Sequence, residues 1–199
     1  MPTPIATSTI AAQAFRLMEL APISSFADDS DQARAAAEQF PVALDMCLEA
    51  CDWSFARCLV DLPELASLPA GTAADPVLPY SYQLPDDCLK VLEVAFGSAR
   101  WSAELSVLRA DLPAPLTLRY TARPTDEARL PATFRTAVAY RLAALLSAAW
   151  VGSPSGIQRL EAGADAALRQ AMRNDRGQAS AQRYDGRPDQ PDWVTEALA

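Results

Sequence analysis

The chain has 199 residues, with 17 lysines and arginines against 25 aspartates and glutamates, so its formal net charge is −8. It contains no histidine, which excludes Ser-His-Asp and Cys-His triads, histidine acid–base catalysis and histidine-containing zinc sites. Half of the residues are hydrophobic, as in globular domains, and the acidic balance argues against a protein that grips nucleic acid.

Neither a secretory signal nor a membrane span is expected. The first basic residue is Arg16, and polar residues interrupt the stretch before it. The most apolar window, 137–151, contains Arg141 and is too short to cross a bilayer. We therefore expect no membrane partner, and the four cysteines then predict reduced thiols in an intracellular setting.

Four segments have apolar residues at helical spacing, which predicts four helices. They are residues 7–21, 29–51, 131–151 and 154–176. Pro41 lies inside the second segment and predicts a kink or a break there, because proline lacks the backbone N–H. Pro131 suits the first position of the third helix, and Ser153 or Ser155 suits the cap of the fourth.

Between residues 52 and 122 the apolar period changes to two, which predicts short strands of a mostly antiparallel sheet. The alternating apolar runs begin at Trp53, Tyr80, Leu92, Trp101 and Leu116. The proline-rich stretch 63–79 predicts a surface loop. The expected fold is therefore α+β and mainly α, a four-helix bundle with a small antiparallel β-sheet inserted between helices 2 and 3, all within one domain of residues 1–177.

The C-terminal residues 178–199 differ in composition from the rest of the chain. Polar residues and two prolines dominate, and Tyr184 and Trp193 are the only large aromatic residues. No core-facing pattern is evident, which predicts an extended arm that binds another subunit.

The cysteines form no Cys-x-x-Cys pair, and Cys47 and Cys51 fall on the apolar side of the second helix. We interpret them as small buried hydrophobic residues. Asp86 and Asp87 follow Pro85 and predict a turn rather than a catalytic pair.

The acidic cluster at residues 28–31 lacks the glycine and glutamate of a calcium loop and predicts a helix cap. The seven glycines form neither a Walker loop nor a dinucleotide fingerprint. We therefore predict no catalytic residues, no cofactor and no metal site.

The order of these features resembles the tail tubular protein A family, the head-to-tail adaptors of tailed bacteriophages. The matching segments are Leu20–Ile23, Asp28–Ala37, Asp52–Phe55, Tyr80–Leu89 and Leu130–Arg135. The resemblance covers nearly the whole chain, and the Trp53 junction and the Tyr80–Leu89 stretch are its most specific parts.

The resemblance implies a structural virion protein that is not an enzyme. Its copies, twelve in the family, form a ring between the portal protein and a downstream tail or nozzle protein, and DNA passes through the channel without specific binding. The protein would be found in the neck of the virion, and in the host cytoplasm during assembly. Since the chain is acidic, the ring would repel DNA from its channel.

The same resemblance assigns roles to particular residues. The arm would reach the portal, with contacts from Arg183, Tyr184, Trp193 and Val194. Residues with an architectural role would be Trp53, Phe55, Tyr82, Pro85 and Phe134. Two other interpretations stay open, namely another neck component such as a head-completion or stopper protein, and a small cytosolic enzyme or regulator.

Overall fold

A computed structural model of the protein describes residues 9–68 and 73–176. This part of the chain contains four α-helices: α1 (Thr9–Leu17), α2 (Asp31–Glu49), α3 (Ala132–Trp150) and α4 (Pro154–Arg176). It also contains six strands: β1 (Arg57–Leu62), β2 (Tyr80–Gln83), β3 (Cys88–Val94), β4 (Trp101–Glu104), β5 (Val107–Ala110) and β6 (Leu116–Ala122).

The chain divides into two compact units. The described residues of the helical unit are 9–57 and 121–176, and those of the strand unit are 58–68 and 73–120. The sequence predicted a single domain, whereas here the strands have a compact unit of their own.

Helix α3 is the centre of the helical unit. It packs against each of the other three helices, and residues on several sides of it are buried, including Phe134, Val138 and Leu142. Its approach to α4 is close, because a Cβ at Gly163 would lie 2.6 Å from the Tyr140 ring. The absence of a side chain at Gly163 therefore lets the two helices meet.

Three of the four described helices, α1, α2 and α4, begin where a side-chain oxygen accepts a hydrogen bond from a free backbone N–H group. The Ser30 hydroxyl accepts a hydrogen bond from Ala33 N at the start of α2. The Ser153 hydroxyl accepts one from Gly156 N at the start of α4, which confirms the predicted cap. At the start of α1 the cap is distant in sequence, since the Glu127 carboxylate accepts from Ile10 N.

Proline 41 does not divide α2, which runs unbroken from Asp31 to Glu49. Phe40, Ala43 and Leu44 are buried on either side of it in sequence. Packing of this apolar face holds one continuous helix against the local cost of proline.

The prediction of one small sheet inserted into a four-helix bundle is wrong. The strands form two three-stranded antiparallel sheets, with the orders β1-β6-β3 and β2-β5-β4. In the second sheet, β5 is the central strand and pairs antiparallel with both neighbours. Its residue Ala110 lies opposite Tyr80 of β2 and opposite Trp101 of β4. Strands β1 and β5 were missed from the sequence, and the second sheet is built around β5.

Two local predictions in this region are also wrong. Residues Trp53 and Phe55 were expected in a strand, but they lie in the non-strand segment before β1. Phe96 was expected to continue the alternation of β3, but it lies in a single 3₁₀ turn (Ala95–Gly97) at a φ of 53°. Both errors come from short alternations that a turn also produces.

Candidate functional site

Three of the residues assigned an architectural role meet in one aromatic cluster, at the junction between α2 and β1. The rings of Trp53 and Phe55 each lie 4.9 Å from the Phe134 ring, with their planes steeply inclined. Trp53 and Phe134 are fully buried. Edge-to-face packing of this kind adds to the burial of the rings, so the cluster fixes the junction to the start of α3.

Hydrogen bonding completes the burial of Trp53. Its indole Nε1 donates to the Cys47 carbonyl oxygen near the end of α2, over 2.9 Å. The Cys47 thiol is itself buried, and burial raises its pKa to about 11, against a smaller opposing effect of Arg141. At neutral pH this thiol is therefore protonated and a poor nucleophile.

The last turn of α4 is tied to the same junction. The Asp175 carboxylate accepts hydrogen bonds from the backbone N–H and the hydroxyl of Ser54. A cavity of about 20 Å³ lies beside the aromatic rings and Asp175, which is room for one water molecule rather than for a ligand. The junction has the geometry of an architectural element, and this cavity is too small for a substrate.

Tyr82 and Pro85 lie in the strand unit and do not join this cluster. Tyr82 is fully buried, and its hydroxyl donates to the Leu112 carbonyl oxygen over 2.6 Å. Burial raises its pKa to about 12. The Pro85 carbonyl accepts from Cys88 N, so the interpretation of residues 85–88 as a turn is confirmed.

The carboxylate beside that turn has a structural partner. Asp87 accepts a hydrogen bond from the Tyr120 hydroxyl on β6, while the Tyr120 pKa is raised by burial and by this carboxylate. Within residues 9–68 and 73–176, no three acidic or cysteine side chains come together in a group that could hold a metal ion. In the same residues, no helix has the length and apolarity needed to span a membrane.

The predicted portal contacts Arg183, Tyr184, Trp193 and Val194, and the arm 178–199 as a whole, lie outside the described residues. These predictions therefore rest on the sequence.

An exposed apolar surface on α2 was missed from the sequence. Val42 and Met46 are 45% and 43% exposed, and the half-buried Ala35 lies on the same side of the helix, two turns before Val42. We call these three residues the outer stripe of α2. Residues 4 and 7 apart share a helix side, so the spacing of Ala35, Val42 and Met46 was a signal, although it was masked by the stronger core-facing pattern.

The outer stripe is separate from the face that α2 uses in its own fold. Phe40, Leu44 and Leu48 are buried in the helical unit, whereas the described residues leave Val42 and Met46 open to solvent. A helix with a second apolar side is typical of a surface that packs on a partner. Comparison of the chain with protein-family models and with curated proteins finds no match to either.

Proposed function

We propose that this protein is a structural adaptor of a bacteriophage neck, whose copies form a ring between the portal and the tail. The resemblance to tail tubular protein A supports this proposal through the residues around Trp53 and Tyr82. The proposal includes a ring of twelve copies that binds the portal protein above and a tail protein below. It also includes a location in the virion neck and assembly in the host cytoplasm.

The outer stripe of α2 is the observation that carries the proposal. Val42 and Met46 are exposed, and removing them from water at a contact lowers the free energy of the assembly. A ring needs a head-to-tail contact in which one surface of each copy meets a different surface of the next. We propose that the outer stripe is one side of that contact, and that the helical unit packs side by side around the channel.

The experiment is reconstitution of the ring on the portal protein encoded in the same phage genome. Electron microscopy should show wild-type copies in a closed ring on the portal. The double variant Val42→Lys/Met46→Lys should stay folded, because both side chains are exposed, but it should not close the ring. The control is Val77→Lys, which changes a still more exposed valine of the strand unit.

Two results would contradict the proposal. A complete ring formed by the double variant would remove the role of the outer stripe. Failure of the wild-type protein to bind the portal at all would remove the adaptor function itself.

The net charge of −8 suits a channel that DNA crosses without binding. We therefore expect the assembled ring to retain no double-stranded DNA in a gel-shift assay at physiological salt. Tight, salt-sensitive retention would indicate a basic channel and would contradict this part of the proposal.

A further inference from the structure

The outer edge of β4 is open, while the opposite edge of the same sheet is covered. Strand β2 has a bridge between Glu64 and Tyr82 on its free side, and Leu65 N donates to the Ser81 carbonyl. Strand β4 has no such partner among the described residues, where it is the last strand in the order β2-β5-β4. An unpaired strand edge is a template for another strand.

The hydrogen-bonding groups of this edge belong to Trp101 and Ala103. The Arg100 carbonyl accepts from Asp111 N, and Glu104 pairs with Val107 where the hairpin closes. Even-numbered residues therefore direct their peptide groups toward β5. Because the direction alternates along a strand, Trp101 and Ala103 direct theirs away from the sheet.

Exposed apolar groups accompany this open edge. The Trp101 side chain is 38% exposed, and Leu105, at the tip of the β4–β5 hairpin, is fully exposed. Leu105 also has a φ of 55°, a conformation that costs a residue with a side chain about 1 kcal/mol or more. Neither hydration nor backbone preference favours leucine at this position.

The edge is complementary to itself. If two copies of β4 pair antiparallel about Ser102, Trp101 of one copy lies opposite Ala103 of the other, and Arg100 lies opposite Glu104. The large Trp101 side chain would therefore face the small Ala103 side chain, and the positively charged Arg100 would face the negatively charged Glu104. The alternation also makes Trp101 and Ala103 a hydrogen-bonded pair, which leaves the two Ser102 residues as a non-hydrogen-bonded pair with close side chains.

The charged groups retain free atoms for this contact. Arg100 and Glu104 have side chains that are 74% and 51% exposed. Arg100 bonds to Asp111 through Nε, and Glu104 bonds to Arg109 through Oε2. The terminal nitrogens of Arg100 and the second carboxylate oxygen of Glu104 thus face no ion-pair partner within the described residues.

We propose that β4 pairs antiparallel with β4 of a second copy, about a two-fold axis through Ser102. Such a contact is isologous and so differs from the head-to-tail contact of a ring. The inference therefore goes beyond the proposed function and stands or falls independently of it. It concerns the purified protein outside a ring.

Disulfide trapping tests the register. Ser102→Cys places two thiols opposite each other at a site where Cα atoms of paired strands approach closely enough for a disulfide. Leu105→Cys is the control, because Leu105 is exposed and its thiols would lie six residues apart along the paired strands, about 20 Å. Under mild oxidation, Ser102→Cys should form covalent dimers at least about tenfold faster than Leu105→Cys, since pairing raises the effective thiol concentration.

Sedimentation of the unmodified protein supplies a second readout. Wild-type protein should show a concentration-dependent dimer, and Ala103→Pro should remove it. This proline deletes an outward N–H and leaves the bonds to β5 intact, so the variant should stay folded. Circular dichroism checks that it does.

Three results would overturn the pairing. These are equal crosslinking rates for the two cysteine variants, a wild-type monomer at all concentrations, and loss of the dimer when residues 178–199 are deleted. The last result would make the arm the occupant of the β4 edge in place of a second β4 strand.

Discussion

Asp175 and Ser54, which are 121 positions apart in the chain, are joined by hydrogen bonds of the Ser54 N–H (3.1 and 3.3 Å) and hydroxyl (2.6 Å) to the Asp175 carboxylate. The pair ties the end of α4 to the segment between α2 and β1. Arg176 at the end of α4 is the last described residue, so this pair anchors the end of the described chain.

Replacing Asp175 with alanine should lower the free energy of unfolding by about 1 kcal/mol, because the bonds are charge-assisted but solvent-exposed. Ser54→Ala should cost less, since the backbone N–H still donates. Urea denaturation measures both. Glu161→Ala is the control, because Glu161 is exposed on the same helix and makes no bond within the described residues; an equal effect there would contradict the role of Asp175.

Trp53→Phe should destabilise the protein by roughly 1–3 kcal/mol, because it leaves the buried Cys47 carbonyl without its donor and removes part of a packed ring. Thermal denaturation followed by circular dichroism gives the change. The same substitution at the exposed Trp101 should have little effect on stability. A similar loss at both positions would show that the Nε1 hydrogen bond is unimportant.

Stability should fall as the pH rises from about 9 to about 11. The folded state holds the Cys47 proton up to a pKa of about 11, whereas the unfolded thiol releases it near 9.0. The folded state therefore binds more protons in this window, and the free energy of unfolding declines by roughly 1 kcal/mol per pH unit.

Cys47→Ala should reduce that slope, although it lowers stability overall by removing a packed side chain. The variant should still lose some stability at the highest pH, because the pKa of Tyr82 is raised to about 12. Urea titrations at several pH values separate slope from overall stability. An unchanged slope would mean that Cys47 is not the group responsible.

Tyr82→Phe should cost about 1 kcal/mol, because the partly buried Leu112 carbonyl loses its hydroxyl donor. Tyr80→Phe is the matched control in the same strand, since no hydrogen bond of the Tyr80 hydroxyl is found within the described residues. Comparable losses in both variants would argue that the hydroxyl bond contributes nothing specific.

Deletion of residues 178–199 should leave the helices folded but should prevent attachment to the portal. Circular dichroism tests folding, and electron microscopy of reconstituted necks tests attachment. The double substitution Tyr184→Ala/Trp193→Ala should reproduce the loss if the aromatic residues anchor the arm. Normal assembly of the truncated protein would refute an anchoring role.

The helical unit was more predictable than the strand unit because apolar residues recur at helical spacing over long segments of the sequence. The predicted intervals 131–151 and 154–176 lie within one residue of α3 and α4 at each end. The long-range cap from Glu127 to α1 could not be anticipated, because the two segments are far apart in sequence and the contact depends on the tertiary fold.

The strand unit was harder to predict because burial does not alternate in every strand. All four residues of β5 are buried, so the strand has no period of two, and it includes the charged Arg109, which pairs with Glu104. Trp53, Phe55 and Phe134 were each given an architectural role, but their meeting in one aromatic cluster was not predicted, and two of them were expected in a strand. Their side chains meet through the tertiary fold, which local spacing does not encode.

The bond from Ala122 N to the Ala56 carbonyl, 2.8 Å long, brings together the two chain segments that lead into and out of Cys58–Tyr120. A segment whose two ends lie next to each other can be replaced or deleted without separating the parts of the chain on either side of it. A short turn in place of Cys58–Tyr120 should therefore connect the two halves of the helical unit, and a different domain could be inserted at the same point. Evolution would then be free to change this part for a new partner while the helices keep their own packing.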